Sequence, residues 1–359
     1  ARGRYLVTMG DCVVCHTRPQ AGSPKFAGGS PLHAAPATVY SSNITPDKKT
    51  GIGNWSADQF YRALQHGVAA DGRHLYPAFP YAYFTKLSRA DTDAIFAYLK
   101  TVKPVSYRPP HNDLIFPANI RAGMVAWNAL FLNQNSFKPD ATKSAAWNRG
   151  AWIVTGAGHC GACHSPKNFM FADKAGDNMQ GNLVDGWFAP NSTKAKRDGL
   201  GDWSAQEIVQ FLKTGRSAHA WAAGPRQQVV EESTSRMRDA DLNAIATYLK
   251  SLAPVAPKLP HAPDARQMHD GQAVFVERCS ACHTRTSAQG YPTLAGNTLV
   301  QSQNPDTVLR IILQGASTAD TKSAGSGFSM PAFPVLSDKE LADVATYIRN
   351  SWGNPTEGT

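Results

Sequence analysis

Residues 10–17 read GDCVVCHT, residues 158–165 read GHCGACHS and residues 278–284 read RCSACHT. These stretches hold all six cysteines of a 359-residue chain, as Cys12 and Cys15, Cys160 and Cys163, Cys279 and Cys282, each pair followed at once by His16, His164 or His283. C-x-x-C-H is the attachment sequence of haem c. Two thiols spaced on one helical turn add to the two vinyl groups of one porphyrin. The next residue is then placed under the ring, where its imidazole reaches the iron as proximal ligand. Competing uses of the motif fit less well. A structural zinc site joins two C-x-x-C pairs, and three pairs leave one over. A thioredoxin-type site needs one motif and no histidine after it, and a disulfide framework belongs to short secreted chains. The expectation is three covalently bound haem c groups, with His16, His164 and His283 as iron ligands.

The rest of the chain is organised around this repetition. The first two motifs are separated by 148 residues, as are Asn43 and Asn191, and Trp55 and Trp203. The segments at those tryptophans, GIGNWSADQF and GLGDWSAQEI, mark two copies of one unit. Asn43 and Asn191 each open an N-x-T triplet, read here as repeat residues rather than glycosylation sites. Each unit ends in a related helix: ADTDAIFAYLKTV, DADLNAIATYLKSL and DKELADVATYIRNSW. Leu242, Ile245, Leu249 and Leu252 follow the spacing of one buried helical face, as do Leu341, Val344, Ile348 and Trp352. Ser337 and Glu340 read as a capping box for the last helix. Opening helices run into the motifs over Gly3 to Val7, Gly150 to Val154 and Gly271 to Val276. A first helix, C-x-x-C-H, a variable loop and a last helix packed across the first describe an all-α cytochrome c unit. The fold class expected is all-α, three tandem cytochrome c domains, at residues 1–103, 148–252 and 265–359. Between them lie a linker and packing segment, 104–147, and a Pro-rich linker, 253–264, with Pro254, Pro257, Pro260 and Pro263 as a stiff extended run. Trp127, Leu130, Phe131 and Leu132 of the first segment are expected to pack between domains or subunits.

Composition agrees with a globular chain: 42% hydrophobic and 18% charged residues, with no run near the roughly 18 apolar residues of a membrane span. The net charge of +9 is offset by two propionates on each haem, about six charges in all. Nothing points to nucleic acid, and KAKRD at 194–198 reads as a solvated loop.

The sixth ligands are uneven. Met330 sits in GFSMPAFPVLS, after a Gly/Ser-rich loop and before the last helix, where an axial methionine belongs. His283 and Met330 make a complete pair. The first unit has LYPAFPYAYF, whose PAFP aligns Tyr76 with Met330 and leaves Phe79 at the other loop position. Met9 is too close to the motif, Met124 lies beyond the last helix, and His33, His66 and His74 remain candidates. The second unit has HAWAAGPRQQVVEEST, with Arg226 after Gly-Pro. Met237 aligns with Leu87 and Leu336 as a packing residue, His219 is the main candidate, and His159 is too constrained. The sixth ligands of haems one and two stay open.

GDCVVCHT, NITPDKKTGIGNW, DGRHLYPAFPY, GHCGACHSPKN, DGWFAPN and ATYIRNSWGN together resemble the three-haem cytochrome c subunits of membrane-bound periplasmic dehydrogenases of acetic acid bacteria and related proteobacteria. These include alcohol, gluconate, sorbitol and fructose dehydrogenases and some molybdenum-dependent aldehyde dehydrogenases. The resemblance covers nearly the whole chain. It implies an electron-transfer subunit that accepts electrons from a catalytic subunit carrying PQQ, flavin or molybdenum and passes them to ubiquinone. Family members commonly have methionine where this chain has Phe79 and Arg226. The family often carries a C-terminal membrane-associating segment, so attachment here is expected through a partner, a membrane-surface patch or a part not present.

The resulting expectation is an electron carrier with no substrate chemistry of its own, on the periplasmic face of the cytoplasmic membrane, where haem c is attached. The start at Ala1 fits a processed export product. The alternative is an open-haem enzyme or ligand sensor of peroxidase type at haem one or two, motivated by Phe79 and Arg226.

Overall fold

A computed structural model describes residues 1–34, 37–254, 262–283, 291–325 and 327–354. Its helices, in chain order, are α1 (Arg2–Met9), α2 (Cys12–Cys15), α3 (Ala57–His66), α4 (Tyr81–Phe84), α5 (Arg89–Leu99), α6 (Gly123–Phe131), α7 (Ala145–Trp152), α8 (Gly161–His164), α9 (Ala205–Thr214), α10 (Pro225–Glu232), α11 (Asp239–Leu249), α12 (Ala265–Arg278), α13 (Asp306–Gln314) and α14 (Asp338–Asn350). Mainly helical structure is as expected, but three small antiparallel hairpins depart from a strictly all-α fold: β1 (Pro31–Ala34) with β2 (Ala37–Tyr40), β3 (Asn182–Val184) with β4 (Trp187–Ala189), and β5 (Ala316–Ser317) with β6 (Ser329–Met330). Strands of two to four residues are too short to leave a period-two pattern in the sequence.

Local sequence accounts for the main helices. Ser56 caps α3 and Ser204 caps α9, each accepting from a backbone N–H three residues on, while Gln59 and Glu207 reach back to complete the box. Both caps fall in the repeated W-S-A segment. Ser88 with Asp91 does the same for α5, and Ser337 with Glu340 for α14, as expected. Leu242, Ile245 and Leu249 are buried along one face of α11, and Val344 and Ile348 along α14. Trp352 lies past the end of α14, at a φ of 53°, yet still packs on the same core. The opening helix of the second repeat ends at Trp152 and passes into a π-helical turn, Ile153–Ala157, before the motif.

Spatial contacts divide the chain into two compact units: Ala1–Ala162 with Lys167–Ala175 and Glu232–Asp241, and Cys163–Pro166 with Gly176–Glu231 and Leu242–Thr359. The division passes through the second C-x-x-C-H, between Ala162 and Cys163, and so does not coincide with the sequence repeats.

In the first unit α1 crosses α5 so closely that a Cβ on Gly3 would stand 1.8 Å from the Ala94 carbonyl oxygen. The same crossing recurs in the second unit, where Gly271 of α12 meets the Asp343 carbonyl of α14 at 2.1 Å by the same measure. Phe275, Val300, Val308, Ile312, Val344, Ala345 and Ile348 form the core around that crossing. The segment after residue 103 is partly ordered as α6. Trp127 is buried with Tyr81 and Ala172, Phe131 and Leu132 pack on that cluster, and Leu130 is exposed. Pro257 and Pro260 of the second linker lie outside the described residues.

Candidate haem attachment sites

None of the six cysteines is joined in a disulfide. Cys12 and Cys15 begin and end the single turn α2, so their sulfurs share one stretch of helix, with His16 immediately after it. Burial, aided by the Asp11 charge, pushes the Cys12 thiol up to about 12, and burial likewise raises Cys279. Neutral thiols suit addition across a vinyl double bond, whereas zinc ligation needs thiolates. No cluster of three or more metal-binding His, Cys, Asp or Glu side chains occurs among the described residues. Cys163 and Cys282 are exposed, the other four half-buried.

The three histidines are held differently from surface histidines. His16 Nδ1 lies 2.6 Å from the Ser42 carbonyl oxygen, and His164 Nδ1 lies 2.8 Å from that of Pro190, with the Ser192 hydroxyl at 3.2 Å. A carbonyl accepting from Nδ1 fixes the tautomer and turns Nε2 outward with its lone pair free, the arrangement of an iron-ligating imidazole. In both cases the acceptor stands 26 residues after the histidine and just beyond a hairpin, β1–β2 or β3–β4. The unanticipated hairpins therefore place the carbonyl that orients each ring. Two buried asparagines follow, Asn43 and Asn191, whose side-chain oxygens accept from the N–H and hydroxyl of Thr45 and Thr193. This buried turn is the structural role of both N-x-T triplets. His283 Nδ1 is buried with no hydrogen-bond partner, and the nearby Pro292 carbonyl acts against the lowering that burial imposes on this imidazole. Burial lowers His16 as well, against the bond to Ser42, and brings His164 down to about 4, helped by the Arg226 charge. Half-buried, and in the case of His16 and His164 oriented through Nδ1, the rings fit iron ligation.

The opposite faces are less uniform. Met330 ends β6 and packs, half-buried, on the same core as Cys279. Tyr76, its counterpart in the first repeat, donates its hydroxyl to the Ala118 carbonyl at 2.9 Å and lies under the Arg121 guanidinium. Phe79 packs on the Tyr81–Trp127–Ala172 cluster. His33 is an exposed hairpin residue bonded to Thr38, His66 ends α3 edge-on to Tyr61, and His74 faces the Asn128 side chain. In the second repeat His219 stacks on Trp203 at 5.1 Å and pairs with Glu207 at 3.2 Å, an arrangement that occupies its ring. Met237 is buried. Arg226 lies over the Phe211 ring, close enough to His164 and Cys163 for their charges to interact, and burial lowers it to about 10. His159 Nε2 donates to the Gly10 carbonyl at 3.0 Å, and the ring packs edge-on to Phe84.

Two residues are not marked by the sequence pattern. Met179 takes the place of Phe26: both are buried, both have φ above 60°, and each N–H donates to the hydroxyl of the residue just after the proximal histidine, Ser165 or Thr17. Met124 of α6 packs on the Tyr81–Trp127–Ala172 cluster of the first unit, although in sequence it lies beyond the last helix of the first repeat.

The profile of the Cytochrome c family matches residues 1–103, 148–253 and 268–352. A nicotinate dehydrogenase subunit of Pseudomonas putida is 42% identical over 361 residues, covering 97% of this chain but only 30% of that protein. This chain thus spans about a third of that relative's length. The gluconate 2-dehydrogenase cytochrome c subunit of Pantoea cypripedii is 38% identical over 100% of this chain and 86% of its own. The fructose dehydrogenase cytochrome subunit of Gluconobacter japonicus is 36% identical over 99% and 79%.

Proposed function

The chain belongs to the cytochrome c family, and from that premise we propose that it is the electron-transfer subunit of a membrane-bound dehydrogenase, carrying electrons from a catalytic subunit towards ubiquinone. The observation that carries the reading is the set of three C-x-x-C-H motifs whose histidines are half-buried and, in two cases, fixed through Nδ1 by a backbone carbonyl. Membership of the family brings covalently bound haem c with it, and the count of motifs makes it three groups. Cys12 and Cys15, Cys160 and Cys163, Cys279 and Cys282 hold them by thioether bonds, each S–H adding across a vinyl C=C with no net electron change. His16, His164 and His283 are the proximal ligands, and Met330 is the sixth ligand of the third group. The domains run over 1–103, 148–252 and 265–359.

Bound haem c supplies a reversible one-electron change at its iron. The chain's own part is to orient each imidazole, to wall each ring with apolar side chains and to set the axial ligand. A cytochrome subunit is the shared element in the names of relatives whose dehydrogenases act on fructose and gluconate. The substrate therefore belongs to the catalytic partner, whose cofactor is PQQ, flavin or molybdenum. Haem c attachment places the protein on the periplasmic side. No helix among the described residues is long and apolar enough to cross a membrane.

The test is electron transfer itself. The purified full chain should give three haems per polypeptide by pyridine haemochrome. With its catalytic subunit and substrate it should pass electrons to a soluble ubiquinone analogue. A chain that carries three haems yet stays oxidised beside a turning-over catalytic subunit would defeat the proposal.

A further inference from the structure

The first C-x-x-C-H domain lacks a methionine at either loop position, Tyr76 or Phe79, yet a methionine from outside the domain, Met124, packs on the same cluster as Phe79. In the third repeat PAFP directly follows Met330, which packs on the core that also holds Cys279. The matching PAFP of the first repeat follows Tyr76, whose hydroxyl is committed to Ala118. That bond is one of several that draw residues 118–128 onto the loop. The Arg121 guanidinium donates to the His74 carbonyl at 2.7 Å, and the Asn128 amide donates to the His66 carbonyl at 3.1 Å. Tyr81 in turn donates to the Asn128 side-chain oxygen at 2.7 Å. Met124 stands one turn before Asn128 on α6, on the same face, since residues four apart on a helix lie one above the other. It packs on the Tyr81–Trp127–Ala172 cluster, as do Leu75 and Phe79 from either side of Tyr76.

The other methionines are placed elsewhere or otherwise engaged. Met9, Met179 and Met237 are buried in packing positions, Met268 lies on α12, and Met330 serves the third repeat. Met170 shares the Met124 cluster, but its segment is positioned by its carbonyl, which accepts from Trp127 Nε1 at 2.9 Å.

We infer that Met124, contributed by the segment after the first domain, is the sixth ligand of the first haem, opposite His16. Its thioether sulfur donates a lone pair to the iron, and no bond breaks and no proton is released. The segment 104–147 is on this reading part of the first haem site and not a spacer. The inference rests on the assignment of His16 as proximal ligand.

The experiment uses the full chain with its haems attached. Near-infrared magnetic circular dichroism of the oxidised protein counts haems with histidine–methionine ligation, and a redox titration follows each haem's potential. Met124→Leu, which conserves volume and leaves the cluster filled, should remove one haem equivalent of that signature and lower one of the three potentials. Met124→His should replace the lost signature with that of a bis-histidine haem, and Met170→Leu should leave the spectrum unchanged. An unaltered spectrum in Met124→Leu, or loss of the signature in Met170→Leu instead, would overturn the inference while the haem count stays at three. A wild-type count below three would overturn the haem assignment beneath it.

Discussion

His16 and His164 are each gripped from two sides by backbone. The ring meets the carbonyl of Ser42 or Pro190, while the histidine's own carbonyl accepts from the N–H of Gly28 or Gly181, at 2.8 Å in both cases. These glycines have φ of 75° and 94°. A Cβ on Gly28 would stand 2.4 Å from the Ser42 carbonyl carbon and oxygen, and one on Gly181 would stand 3.2 Å from the Asn191 nitrogen. The side chain would thus push on the acceptor strand that orients the ring. Gly28→Ala is expected to cost about 2 kcal/mol in stability, combining a strained φ with a backbone clash. It should also shift the midpoint potential of the first haem. Gly22 is the comparison, at a φ of 77° with open space around it. Gly22→Ala should cost about 1 kcal/mol from conformation alone and leave every potential in place. Thermal unfolding and a redox titration of the holoprotein separate the two effects, and equal behaviour of the two variants would refute the argument.

At the scale of elements, the crossing of first and last helices is decided by one missing methyl group. Replacing glycine by alanine within a helix ordinarily gains up to about 1 kcal/mol. On Gly271 the new Cβ would meet the Asp343 carbonyl at 2.1 Å, and α12 and α14 would have to separate along the core of Phe275, Val344 and Ile348. Separation outweighs propensity, so Gly271→Ala should destabilise the protein by about 3 kcal/mol. A denaturant midpoint at or above wild type would show that the crossing is not close-packed. The sequence made much of this legible. The three related last helices, their buried faces and the capping residues follow from periodicity and local hydrogen bonding, and the motif histidines are identified by the cysteines beside them. The hairpins were hidden because two to four residues carry no period. Met124 is hidden for a different reason. Order along the chain places it after the first domain, and only the long-range bonds from Asn128 to His66 and from Arg121 to His74 bring α6 back onto the loop.

At the scale of the molecule, the sequence repeats and the compact units obey different rules. Duplication sets the repeats, whereas a unit is set by where polar and apolar groups find partners. The ten residues Glu232–Asp241 come from the second repeat in sequence and belong to the first unit in space. Lys25 pairs with Glu232 at 3.2 Å, the Arg238 N–H donates to the Tyr5 hydroxyl, and Tyr5 donates in turn to Asp241 at 2.5 Å. Arg149 reaches the same carboxylate through two nitrogens, at 2.6 and 3.1 Å. Burial works to raise the Asp241 carboxyl, but the bonds from Arg149 and Tyr5 outweigh it and hold it below its ordinary value. A carboxyl that binds its proton more weakly in the folded chain than in the unfolded one favours folding above the unfolded pKa, about 4 for aspartate. That contribution fades as pH falls through the lower folded pKa. Asp241→Asn keeps the shape but removes the charge, so it should lose about 2 kcal/mol at neutral pH, where charged partners are left unmatched. As pH falls through the folded pKa of Asp241, which lies below its ordinary value, the gap to the parent should close, since both side chains are then neutral. Denaturant unfolding of the two holoproteins across the acid range checks this, and a constant gap at all pH values would mean that the Asp241 charge does not hold the returning segment in place.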